Sequence, residues 1–182
     1  MTPPGHAARI AGALATVARE EGAWLLHGDR HDPLYLPWMP FQWADFTALL
    51  AECAAEAAGP AFIDVGCGVG TKMLIAAELL GLDAHGVERD PGMAAYARER
   101  QRGTTWLADA LELPQEFWGA FDIVWMYRPF RDSGRQARLE QRVYAGMRPG
   151  AILAGGALEA FPRGWLTVVD DLDAGRGAFR KP

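Results

Sequence analysis

Residues 61–70, Ala-Phe-Ile-Asp-Val-Gly-Cys-Gly-Val-Gly, constrain the fold more than any other stretch of the chain. A short apolar run with β-branched residues ends in an acid and a glycine-punctuated turn. An Ala/Leu-rich helical pattern from Thr71 to Leu80 follows at once. Strand, glycine turn and helix in that order present backbone N–H groups at a helix N-terminus. Glycine lets the main chain approach a ligand where any Cβ would collide. The same ten residues also read as a tight strand-to-helix connection that binds nothing.

Spacing sorts the ligands. A Walker loop sets Gly directly before Lys, whereas Thr71 precedes Lys72 here, so a nucleoside triphosphate fits poorly. A dinucleotide fingerprint reads G-x-G-x-x-G, and this turn reads Gly66-x-Gly68-x-Gly70. Asp64 stands just ahead of the first glycine, where it would repel a pyrophosphate and suit a cationic ligand. With its D-x-G-x-G-x-G pattern, the stretch resembles the first motif of the class I S-adenosylmethionine-dependent methyltransferases.

Two further strand ends agree with that resemblance. Residues 84–88 read as a second strand ending in Glu88, and Arg89-Asp90-Pro91 opens the next helix. An acid about twenty residues past a glycine turn reaches ribose hydroxyls in βαβ units. A third strand, residues 104–108, leads to Asp109-Ala110. Asp109 also suits a local cap for the turn towards Leu113 and Pro114. The fourth strand, residues 121–126, is followed by Tyr127-Arg128-Pro129-Phe130, beside the point where open α/β sheets bind ligands. Asp122 falls at the opposite end of that strand and receives no chemical role.

Alternating strands and helices predict a doubly wound, mostly parallel α/β sheet of about seven strands. Helices are expected over 5–21, 42–58, 71–80, 91–102 and 131–147. Arg135, Arg138 and Arg142 read as a solvated face of the last helix, with partners such as Glu140. Strands at 151–155 and 165–170 and a short closing strand near 177–181 end the chain as a C-terminal antiparallel hairpin. One domain is expected over 1–182, with residues 1–60 as N-terminal helices and lid and 61–182 as the Rossmann-like core. Residues 24–43 mix prolines, aromatics and ionisable groups, which suits either a loop pinned onto the core or a lid over a pocket. His27, Asp29, His31 and Asp32 lack metal-ligand spacing, so a solvated turn is the better reading and no metal is expected.

The net charge of −5 argues against a broad nucleic-acid or anionic-membrane surface. Cys53 and Cys67 form no C-x-x-C pair and read as reduced thiols, which points to the cytoplasm. No apolar run reaches the length of a membrane span. Arginine outnumbers lysine, which suggests a GC-rich bacterial gene.

The resemblance implies S-adenosyl-L-methionine as cofactor and S-adenosyl-L-homocysteine as product. It implies Asp64, Gly66, Cys67, Gly68 and Gly70 at the methionine end, Glu88 and Arg89 at the ribose, and Asp109 and Ala110 at the adenine. The sulfonium carries a good leaving group, so in-line positioning of the acceptor does most of the catalysis. Tyr127 and His31 are the candidate proton-handling groups, and Tyr127, Arg128 and Trp38 the candidate acceptor contacts. Relatives that methylate base or glutamine amides carry Asn, Asp or Ser before Pro-Pro and an aromatic after strand four. Tyr127-Arg128-Pro129-Phe130 lacks that short polar residue, which favours O- or N-methylation of a small molecule over nucleic acid. Protein or nucleic-acid methylation, aminopropyl transfer on the same fold, and a non-catalytic cofactor-binding domain stay open as alternatives. The oligomeric state cannot be read from the sequence.

Overall fold

The computed structural model describes residues 43–100, 103–156, 158, 160 and 176–182, together with helical positions 12, 15 and 19. Most of the expected helix over 5–21, nearly all of the 24–43 segment and the expected strand at 165–170 lie outside the described residues.

The described chain runs α1 (Trp43–Glu56), β1 (Ala61–Val65), α2 (Thr71–Leu80), β2 (Asp83–Glu88), α3 (Pro91–Arg100) and β3 (Thr105–Leu107). A 3-10 helix (Gln115–Ala120), β4 (Ile123–Tyr127), α4 (Ser133–Gly146), β5 (Ile152–Gly156) and β6 (Arg176–Arg180) follow. The strands form one sheet in the order β3-β2-β1-β4-β5-β6, parallel except where β6 runs against β5. The chain winds outward from β1 in one direction, then returns to place β4 on its other side. That reversal opens a crevice beyond the carboxyl ends of β1 and β4.

Each face of the sheet is buried. Phe62, Ile123, Trp125, Ile152 and Ala154 face Phe46, Leu49, Leu50 and Cys53 of α1 and Met73, Ile75 and Ala76 of α2. Ile63, Val65, Val124, Met126 and Leu153 face the other way, against Trp118 of the 3-10 helix, Leu139 and Val143 of α4, and Met147 just after it. The apolar stripe of α1 recurs at three- and four-residue spacing, which is what points one side of a helix at a sheet. Beyond it, Gly59 passes so close to Asp122 that a Cβ there would lie 2.6 Å from Oδ2. Asp122 itself is buried, accepts the Ala61 N–H at 3.1 Å and pairs with Arg148, so it ties the lower ends of β1 and β4 together.

Several sequence-based expectations change. The helix expected over 42–58 is shorter, so Trp43 opens α1 and leaves the proposed lid. The fourth strand begins at Ile123 and keeps Tyr127 as its last residue, opposite Gly156 of β5. The closing strand pairs antiparallel with β5. Arg142 is not on a solvated face: its guanidinium donates to the Leu113 carbonyl at 2.8 Å, and its Nε is buried without a partner. Glu140 is fully buried, where it accepts from Gln136 and the Ala160 N–H. Packing of the 3-10 helix on α4 decides which side of that helix is covered, and its pattern of charges does not show this.

Candidate functional site

The turn after β1 uses glycine three times for one reason. Gly66, Gly68 and Gly70 have φ of 80°, 56° and 84°, a region that side chains with a Cβ rarely enter. The turn is also laced to β2, because the N–H groups of Gly66 and Cys67 both donate to the Val87 carbonyl, at 2.8 and 3.0 Å. Gly70 opens α2 with no side chain capping the helix, so the positive end of the α2 dipole faces the crevice.

Asp64 is the buried charge at the centre. It is 1% exposed, and its Oδ2 has no hydrogen-bond partner. The ammonium of Lys72, in the first turn of α2, lies 3.9 Å from that oxygen. Burial pushes the Asp64 carboxyl up to about 6, with Lys72 opposing the rise and Glu88 adding to it. A buried carboxylate with a vacant acceptor lobe fits a cationic ligand group.

The sign of the pH effect follows. A carboxyl raised above its unfolded value of 3.8 binds protons more readily in the folded state between that value and about 6. Its contribution to stability is present at low pH and is lost as pH rises through about 6. Asp64→Asn is therefore expected to raise the melting temperature of the ligand-free protein at pH 7 and to flatten its dependence between pH 4 and 6. It should also weaken a cationic ligand about 10-fold or more. Melting curves and calorimetry at the two pH limits check both halves.

Glu88 is the second anchor. Its Oε2 accepts the Gly68 N–H, and its Oε1 accepts those of Arg89 and Asp90, all at 2.8 Å. One carboxylate thus joins the glycine turn to the start of α3. Burial raises its pKa, and the three N–H bonds partly offset that rise. An ionised carboxylate offers about four acceptor sites, so one lobe is left for a ligand hydroxyl. Arg89 contributes its backbone N–H here, and its side chain is exposed. Asp109 follows a backbone bond from Ala108 to the Glu88 carbonyl, which brings the ends of β2 and β3 side by side. Its Oδ1 accepts the Leu111 N–H at 2.9 Å, so it shapes its own turn, and Ala110 is buried behind it.

Beyond β4 the chain turns sharply. Tyr127 is 37% exposed at the strand end. Arg128 has φ of 40°, an unusual conformation for a side-chain-bearing residue and more so before a proline. Its guanidinium donates to the Ser133 hydroxyl at 3.0 Å, towards the start of α4. Pro129 then packs against the glycine turn, with its Cβ 3.4 Å from where a Cβ on Gly66 would stand. The tyrosine and the turn are thus held next to each other.

A buried polar pair supports this rim from below. Gln136 and Glu140, one turn apart on α4, are both fully buried. Gln136 accepts the Phe130 N–H at 3.2 Å and donates to Glu140 at 2.7 Å, and Glu140 accepts the Ala160 N–H at 2.6 Å. The segments following β4 and β5 are therefore tied through one helix.

Of the residues expected from sequence, Asp64, the glycine turn, Glu88, Asp109 and Tyr127 come together along the carboxyl edge of the sheet. His31 and Trp38, like His27, Asp29 and Asp32, lie outside the described residues. Sequence reasoning missed Lys72, Trp125, Gln136 and Glu140. Lys72 had a usable signal: a cation in the first turn of a helix opposes the dipole, so its presence asks for a nearby acid.

A glycine turn over a parallel sheet, with acids at three successive strand ends, is the arrangement expected of a class I S-adenosylmethionine-dependent methyltransferase. Residues 62–150, just under half of the chain, match the family model described as a methyltransferase domain. No curated protein matches the sequence. Among solved structures, an RNA methyltransferase from Salinibacter ruber in complex with S-adenosyl-L-homocysteine superposes with a TM-score of 0.64 at 18% identity. That match covers 79% of this chain and 94% of the other. A sugar N-methyltransferase from a Streptoalloteichus species gives 0.50 at 23% identity, covering 66% and 50%. A geranyl diphosphate C-methyltransferase from Streptomyces coelicolor gives 0.51 at 20% identity, covering 62% and 44%. The chain thus spans about half the length of the last two. At these identities the likeness is one of fold. No described helix is long and apolar enough to cross a membrane.

Proposed function

We propose that this methyltransferase transfers the methyl group of S-adenosylmethionine to an oxygen or nitrogen of a small molecule. The observation that carries the cofactor site is the vacant, buried Oδ2 of Asp64 at the mouth of the glycine turn. In this reading Asp64, Gly66, Cys67, Gly68 and Gly70 hold the methionine end. Glu88 and Arg89 hold the ribose, and Asp109 and Ala110 the adenine. The cofactor, when bound, supplies an activated methyl group on sulfur.

The protein's part is placement. Asp64 and Glu88 fix two ends of the ligand, and the turn between them fixes its depth. Tyr127 stands at the end of β4, where its hydroxyl can accept a hydrogen bond from the acceptor or take its proton. Arg128 offers a cation to an acceptor carboxylate or phosphate. In this proposal His31 is a second candidate to take the acceptor's proton, and Trp38 a further contact to the acceptor. Bringing the two reacting groups to near-attack distance accounts for several orders of magnitude in rate.

The small-molecule assignment rests on the exposed Tyr127 ring, which occupies the space a flipped base needs, and on the acidic net charge of −5. RNA is the second reading. It is favoured by the near-complete coverage of the Salinibacter ruber RNA methyltransferase and by exposed Arg131, Arg135 and Arg138 close to the same rim. Incubation with methyl-labelled S-adenosylmethionine and either a metabolite extract or total RNA separates them. Label entering the small-molecule fraction is expected, and label confined to RNA and lost with added salt would replace the first reading by the second.

A further inference from the structure

Asp64 and Trp125 are register partners on neighbouring parallel strands, so their side chains leave the same face of the sheet. Both are buried, at 1% and 3% exposure, and each ends in an atom without a hydrogen-bond partner, Oδ2 of Asp64 and Nε1 of Trp125. One of these is an acceptor and the other a donor. The Trp125 ring is braced edge-on by Phe46, with ring centroids 4.8 Å apart. Lys72 sets its ammonium 3.9 Å from Asp64. The other buried, unbonded indole among the described residues, Trp118, lies in the apolar layer on the opposite face.

An acid seeking a cation, beside an ammonium and an indole N–H that suit an anion, is the complement of an α-amino-acid zwitterion. We infer that Lys72 and Trp125 read the carboxylate of the cofactor's methionine end, and so select S-adenosylmethionine over its decarboxylated form. The inference rests on the cofactor assignment above and adds the two residues that enforce it. Lys72 is a counter-ion of Asp64 in this structure. An arriving ammonium takes over that carboxylate, and Lys72, with three N–H donors, turns to the ligand's carboxylate beside the Trp125 N–H. A decarboxylated ligand would bring a second cation towards Lys72 and leave both donors without an acceptor. Transfer of an aminopropyl group from decarboxylated S-adenosylmethionine is thereby disfavoured at the binding step.

Calorimetry with S-adenosylhomocysteine, its decarboxylated analogue and methylthioadenosine tests this without turnover. The wild-type protein is expected to bind S-adenosylhomocysteine about 10–100-fold more tightly than the decarboxylated analogue. Lys72→Met should erase most of that preference by weakening S-adenosylhomocysteine, while methylthioadenosine changes by less than about 3-fold. Lys72→Arg should keep the preference, and Trp125→Phe should reduce it while retaining the contact with Phe46. Equal affinity of the wild-type protein for the two homocysteine ligands would overturn the inference, as would equal loss of all three ligands in Lys72→Met. Failure of the wild-type protein to bind any of the three would instead remove the cofactor assignment.

Discussion

Replacing Glu88 by glutamine is expected to loosen the glycine turn and to weaken the cofactor together. The carboxylate now accepts N–H groups from Gly68, Arg89 and Asp90, at 2.8 Å each. A glutamine oxygen can still serve the Arg89 and Asp90 pair, but its amide N–H₂ then meets the Gly68 N–H, donor against donor. A buried donor left without an acceptor costs about 1–3 kcal/mol. In a domain of this size that corresponds to a fall in melting temperature of roughly 2–12 °C. The lobe proposed for a ribose hydroxyl is disturbed as well, so affinity for S-adenosylhomocysteine should drop about 10-fold or more. Thermal melts and calorimetry on one preparation check both effects. A variant that melts within about 1 °C of the parent would show that Glu88 does not brace the turn.

Gly86→Ala should be at least as damaging, although no ligand touches it in the proposed binding mode. A Cβ at that position of β2 would stand 2.5 Å from Cys67 Sγ, 2.8 Å from Cys67 Cβ and 2.7 Å from Met73 Sδ. The thioether of Met73 can swing away, but Cys67 is fixed by the turn and by its N–H bond to Val87. Over-packing of this kind costs about 1–3 kcal/mol, occasionally more. Relief requires moving the turn itself, so binding of S-adenosylhomocysteine should fall in parallel with stability. Adding Cys67→Ala removes the sulfur and keeps the Cβ contact, so the double variant is expected to recover only part of the loss. If the double variant is no more stable than Gly86→Ala alone, the clash with Cys67 is not the cause.

The half of the candidate site proposed for the cofactor was legible because its information is local. Asp64, the three glycines and Glu88 announce themselves by chain spacing, and α2 falls at Thr71–Leu80 as expected. The acceptor half is written in long-range contacts. Gln136 and Glu140 sit in the stripe with Leu139 and Val143, and the distant N–H groups of Phe130 and Ala160 give two polar residues there their partners. Arg142 looks solvated on a helical wheel and is covered because the chain before the 3-10 helix crosses it. Trp125 reads as one more apolar strand residue until its register with Asp64 is known. Asp109 illustrates a mixed case, where the local cap expected from sequence is present and the adenine contact remains a proposal.

The Gln136–Glu140 pair grips its two loops by amide hydrogens, at Phe130 and Ala160. Almost any amino acid offers the same amide hydrogen, proline excepted. Side chains at these two positions can consequently be exchanged without removing these two hydrogen bonds. Such a scaffold separates what must be inherited from what is free to drift. A lineage built on it can change the molecules it methylates through a few exchanges in these two loops, while α4 and the cofactor edge stay as they are.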